Sequence, residues 1–301
     1  MSQAEQESAL VRAMPLVFVL IWSTGFIVAR YGMPHAPPLT FLSWRYALSV
    51  GCFLLWIMLA RVRWPESNRQ WLHLAVTGIL MHGGYLGGVW SAVKAGMGAG
   101  LSALIVGLQP VLTAVWLSAS GGRVSPRQWA GLLLGLAGLA LVVSEKFGAG
   151  GEADWHNLTL AILGLLSITL GTLYQKRFVQ PCDVRSANAV QLMAAGLLTL
   201  PLALMLEHEP ILWSDPSGQV NVELAAAMAW SVLGLSLGGS SLLYLLIQRG
   251  AATVVTSLMY LVPPCTALLA WLLFGEPITL VVLLGTLVSA IGVGLVVRGA
   301  R

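Results

Sequence analysis

The chain has 301 residues, of which 57% are hydrophobic and only 9% charged, with a formal net charge of +4. A soluble domain is about one-quarter charged, so this composition excludes a soluble globular domain and a basic nucleic-acid binder, and it points to a polytopic membrane protein. Cys52, Cys182 and Cys265 are too few and too scattered for a disulfide framework or a zinc site.

Residues 1–13 form a polar tail carrying Glu5, Glu7 and Arg12. It lacks the basic start, short apolar run and small-residue cleavage site of a secretory signal, and reads as a cytoplasmic tail. About 20 apolar residues cross a hydrocarbon core. By that measure ten spans follow, over 14–33, 39–60, 71–93, 97–119, 127–145, 156–176, 186–206, 223–247, 251–274 and 277–297. Residues 298–301 form a second tail. Backbone polar groups cannot be left bare in lipid, and the alternation of a membrane barrel is absent, so each span is predicted to be a helix. With the N-terminus inside, 12 of the 16 basic residues fall in cytoplasmic segments and Arg30, Lys94 and Lys146 fall outside. That asymmetry predicts both termini in the cytoplasm.

The chain repeats itself. At an offset of 154, Pro110 falls on Pro264, Gly121 on Gly275, Gly131 on Gly285, Gly138 on Gly292, His82 on Ser236 and Trp90 on Tyr244. Further upstream an offset of 146 puts Gly25 on Gly171 and Arg45 on Gln191, the difference being a polar insertion at 207–221. Five spans per copy, over 14–146 and 156–297, send the second copy into the membrane from the opposite side. The expected fold is therefore all-α, with two inverted five-helix repeats, an arrangement common in secondary transporters with a mid-membrane site between the repeats.

Several stretches resemble the EamA-type, ten-helix branch of the drug/metabolite transporter superfamily. They are Trp22-Ser23-Thr24-Gly25-Phe26, Phe41 with Arg45, and Leu261-Val262-Pro263 followed by Phe274-Gly275-Glu276-Pro277. In the first copy Gly121-Gly122-Arg123 departs from the Gly-Glu pattern. The resemblance implies export of a small metabolite across a bacterial inner membrane, with aromatic amino-acid exporters as the favoured branch.

Polar side chains at mid-depth are costly unless they face protein or water. Helical phase puts His82 and Tyr85 on one face of span three with Trp90 at its edge. It groups Ser102, Gln109 and Thr113 on span four, Ser236 and Ser240 on span eight with Tyr244 at the edge, and Thr253, Thr256 and Tyr260 on span nine. Together with Trp22 these faces suggest a common substrate cavity. Gly83 and Gly84 in span three, and Gly238 and Gly239 in span eight, serve either close helix packing or a hinge, as do Pro110 and Pro264. Arg45 either snorkels to the outer surface or serves as a cation at a cavity mouth. Gly234-Leu235-Ser236-Leu237-Gly238 matches a nucleophile elbow, but that motif needs a strand-turn-helix setting. A membrane protease using Ser236 and His82 is the remote alternative. No acidic residue lies at mid-depth, so a facilitator without obligatory proton coupling is expected, with His82-linked coupling as the alternative. The expected partners are a small-molecule substrate and the lipid bilayer. No cofactor, metal or nucleic acid is expected, and the chain should act as a monomer.

Overall fold

In a computed structural model of the protein, residues 3–119, 125–147, 152–214, 217–248 and 261–298 are described. They are helical throughout apart from short connections. Five spans are each long and apolar enough to cross a membrane as one helix: span two (Pro38–Ala60), span five (Pro126–Lys146), span six (Trp155–Phe178), span seven (Val184–Leu206) and span eight (Val222–Leu245). Span one is the apolar part of a helix over Gln3–Gly32, and span ten is Leu280–Arg298.

The helix boundaries follow local chemistry. Ser125 with Gln128 and Asp154 with Asn157 form reciprocal capping boxes at the starts of spans five and six. Asn221 accepts from the Leu224 N–H at the start of span eight. Prolines occupy the first turn of spans two, five and nine, where a missing N–H costs nothing. Gly275, at φ 66°, ends span nine (Val262–Phe274) in the left-handed conformation that glycine adopts freely.

Three spans are not regular. Span three runs as α-helix over Asn68–Gly78, π-helix over Ile79–Gly84 and α-helix over Tyr85–Lys94. Span eight carries a π-helical segment over Ser231–Ser240. These segments overlap under the 154-residue offset, so the irregularity is a property of the repeat. Widening the helix takes backbone carbonyls out of α-helical register, and in lipid they need other partners. Tyr46 Oη donates to the His82 carbonyl at 2.8 Å, and Ser167 Oγ to that of Leu80 at 2.8 Å. In span eight Ser236 Oγ donates to the Ser231 carbonyl at 3.1 Å, and Ser240 Oγ to that of Leu235 at 3.3 Å. Span four is broken: Ala99–Val106 ends at Gly107-Leu108, and a second helix starts at Gln109-Pro110.

The helix pairs obey the inverted repeat. Span two packs on span seven, span four on span nine, and span five on span ten, each against its own repeat mate. Span three packs on span six, and span one on span eight, a pairing that the pseudo-two-fold exchanges. Spans five and ten meet through glycine. A Cβ on Gly138 would strike the Gly285 carbonyl, one on Gly292 would strike the Gly135 backbone, and Ser289 Oγ donates to the Gly135 carbonyl at 3.1 Å. Close backbone approach by small residues is how helices associate where lipid removes the hydrophobic drive. Outside, Leu59, Leu133, Leu197, Leu204 and Leu272 stand exposed, an inversion of soluble packing that hydrocarbon chains accommodate.

Candidate functional site

Spans one, two, three and eight line a partly open cavity. Its wall includes Trp22, Arg45, His82, Tyr85, Trp90 and Ser240, with Phe26 and Leu235. Trp22 and Tyr85 lie parallel, ring centroids 6.5 Å apart at an interplanar angle of 6°. Trp90 is wedged against Phe41 at 4.8 Å. The π segments bring His82 and Ser240 to the cavity, because a backbone widened at that depth redirects the side chains that follow.

Arg45 departs from the snorkelling expectation. It is only 4% exposed, so it does not reach a membrane surface, and it lies within the cavity wall. Its Nε donates to Ser236 Oγ at 3.1 Å, tying span two to the π segment of span eight, and its guanidinium carbon sits 5.8 Å from the Trp90 ring centre. The mate of this pair under the repeat is Gln191 with His82, and both residues are again buried. One architectural slot thus holds a cation in the first copy and a neutral amide in the second.

The other predicted site residues divide. Ser236 is wholly buried and serves as the Arg45 acceptor. Gln109 does not line the cavity: its Nε2 donates to Thr172 Oγ1 on span six at 2.9 Å. The break at Gly107-Leu108 resets the helical phase from which its direction was reckoned. Tyr244 also lies away from the cavity, buried with Leu74, Ala187 and Val190, its hydroxyl 3.2 Å from Cys182 Sγ. It lies beyond the π segment, across which a 3.6-residue period does not hold. Tyr260 lies outside the described residues, as do Thr253, Thr256 and the Gly121-Gly122-Arg123 turn.

The glycines are mainly packing surfaces. A Cβ on Gly84 would strike Ser167 Oγ, and one on Gly88 would lie 2.6 Å from the Leu160 carbonyl, so span three rests directly on span six. Gly239 faces Ile21 of span one at 3.2 Å, while Gly83 and Gly238 have ordinary clearance. Pro110 follows the break in span four, and Pro264 lies in the first turn of span nine. The break in span four lies against the start of the described part of span nine, since a Cβ on Gly107 would come within 2.8 Å of Pro263 Cγ. Phe26, Met81 and Leu235 line the cavity, and apolar residues within apolar spans carry no sequence signal that could single them out.

One rim of the assembly is tied across the repeats by carboxylates. Glu276, after span nine, accepts from the N–H of Ala99 at 2.9 Å and of Gly100 at 3.3 Å, capping span four. Glu207, after span seven, accepts from the N–H of Leu39 at 2.8 Å and of Thr40 at 2.7 Å, capping span two. Free N–H groups and the helix dipole make a helix N-terminus a natural carboxylate site.

Two intertwined, oppositely inserted repeats around a central cavity define an inverted-repeat membrane transporter. The chain belongs to the EamA-like transporter family, which it matches over residues 12–144 and again over 157–298, one match per repeat. It is 26% identical over 274 residues to the inner membrane transporter YedA of Escherichia coli K12, covering 90% of this chain and 86% of the relative. It is 24% identical over 297 residues to a probable amino-acid metabolite efflux pump of Salmonella typhimurium, covering 96% and 95%. A solved crystal structure has the same fold at a TM-score of 0.67 and 19% identity, with 96% of this chain and 98% of that one covered. The chain is a transporter and not an enzyme. The geometry agrees with that: Ser236 is engaged by Arg45 and by the Ser231 carbonyl, with no bond to His82 among the described residues.

Proposed function

We propose that this protein exports amino acids, aromatic ones included, across a bacterial inner membrane by alternating access around the cavity, with both termini in the cytoplasm. The observation that carries this reading is the cavity wall itself. Trp22, Phe26, Tyr85 and Trp90 provide an aromatic surface for an apolar side chain, and Arg45, His82 and Ser240 provide polar groups for a charged end. The naming of the Salmonella relative as a probable amino-acid metabolite efflux pump supports the same substrate class. On this reading the chain works as a monomer, a proposal supported by the described cavity wall coming from spans one, two, three and eight of one chain.

Among the described residues no Asp or Glu lines the cavity, and a buried carboxylate that loads and unloads is the usual proton carrier within a membrane. The solute therefore runs down its own gradient without obligatory proton coupling. Reconstituted vesicles loaded with phenylalanine, with no pH or voltage gradient, test this directly, and efflux above protein-free vesicles is expected. No efflux there, with efflux appearing under an imposed pH gradient and disappearing in His82→Ala, would replace the facilitator reading with histidine-linked coupling.

A further inference from the structure

Arg45 uses one of its five N–H donors within the described residues, the Nε–H given to Ser236. The remaining four belong to the two terminal nitrogens. Among the described residues no Asp or Glu forms an ion pair with it, and none lines the cavity that it faces. At 4% exposure it has little contact with bulk water. An arginine keeps its charge at any relevant pH, and a buried charge without a counter-charge is strongly disfavoured. The matching position in the second copy is the neutral Gln191, also buried, so the repeat architecture does not require a charge there. The charge is present once, on a residue that lines the cavity. The Ser236 bond and the Trp90 ring hold the guanidinium plane in place, with its terminal edge unpaired among the described residues, the arrangement that takes a carboxylate through two parallel bonds.

We infer that Arg45 is the carboxylate-binding residue of the cavity, and that the site selects its substrates by a carboxylate and an apolar body while remaining indifferent to an α-ammonium group. Among the described residues an ammonium in this cavity meets hydroxyls, an imidazole and aromatic rings but no carboxylate, and the cation–π attraction of the rings is opposed by the repulsion of Arg45. Deaminated aromatic carboxylates should therefore bind as amino acids do, and a further activity follows: transport of arylalkanoate and 2-oxo-acid anions. This inference rests on the transport reading above but not on the amino group that reading assumes.

The test uses purified full-length protein in detergent and four ligands with one apolar body: phenylalanine, 3-phenylpropionate, phenylalanine amide and 2-phenylethylamine. Thermal unfolding and quenching of tryptophan fluorescence report binding. Phenylalanine and 3-phenylpropionate are expected to raise the unfolding midpoint and to quench at similar concentrations, while the amide and the amine do neither. Removing one member of a buried charge pair costs about thirtyfold or more in affinity, so Arg45→Gln should lose the acids by that factor, and Arg45→Lys should keep part of the preference. Because the wild-type series decides the matter by itself, a variant that fails to fold does not rescue the idea. Equal binding of the acids, the amide and the amine overturns the inference while leaving amino-acid export standing. Binding of phenylalanine without 3-phenylpropionate overturns the indifference to the ammonium. Silence from all four removes the amino-acid reading and this inference with it.

Discussion

Replacing Glu276 by Gln preserves the volume of the side chain and removes its charge. The carboxylate closes the first turn of span four through two backbone N–H groups, at 2.9 and 3.3 Å, and is itself 8% exposed. Glutamine has one acceptor oxygen. One bond survives in neutral form, and the amide nitrogen faces the other N–H donor to donor. A hydrogen bond to a charged group contributes about 1.5–3 kcal/mol, and an anion at a helix N-terminus about 0.3–1 kcal/mol more. The 3.3 Å bond is at the weak end, so Glu276→Gln should cost about 2–4 kcal/mol. For a chain of this size that corresponds to a fall of about 5–10 °C in the unfolding midpoint, read from tryptophan fluorescence of the protein in detergent. Glu209→Gln is the control: Glu209 pairs with Lys94 at 3.2 Å but is 71% exposed, and an exposed pair contributes little. If Glu276→Gln melts with the wild type, the carboxylate does not cap span four, and the cross-repeat tie at this rim is not real.

Tyr46→Phe removes the hydroxyl that donates to the His82 carbonyl in the π segment, and the orphaned acceptor should lower stability by about 1–3 kcal/mol, visible in the same melting assay. Gly138→Leu forces spans five and ten apart and should cost more than about 1–3 kcal/mol. Gly294→Ala, where a Cβ meets nothing within 4 Å, should be neutral or stabilising by up to about 1 kcal/mol, and two changes of the same sign and size would refute the packing argument. Tyr85→Ala should abolish vesicle transport with folded protein still present, whereas Leu197→Ala, at a position 78% exposed to lipid, should transport normally; equal activity in the two would place the cavity elsewhere. Ser217→Cys, in the loop after span seven, should react with an impermeant thiol reagent from outside intact cells, and reaction only after permeabilisation would invert the topology.

Much of the site was legible because mid-depth polar groups are rare in an apolar chain. His82, Tyr85, Ser240 and Trp22 stood out on that ground alone, and all four line one cavity. The phase arithmetic failed where the helix ceases to be an α-helix. Gln109 lies past the break in span four, and Tyr244 past the π segment of span eight. Glycine content hinted that spans three and eight are soft, but glycine is equally the residue of close packing, and Gly84 and Gly88 proved to be contact surfaces against span six.

Composition, basic-residue placement and the internal repeat determined the class of the protein, the number of spans and their inverted arrangement, because span length and charge cost in lipid are local properties of the chain. Which side chains share a cavity depends on pairings between spans far apart in sequence. Arg45 illustrates the division. The sequence shows a cation within a span; only the packing of span two against span eight, 191 residues away, buries it against Ser236 and places it in the cavity wall. The same holds for Glu276, a loop residue by sequence that becomes a helix cap because the inverted repeats bring span nine's end to span four's start.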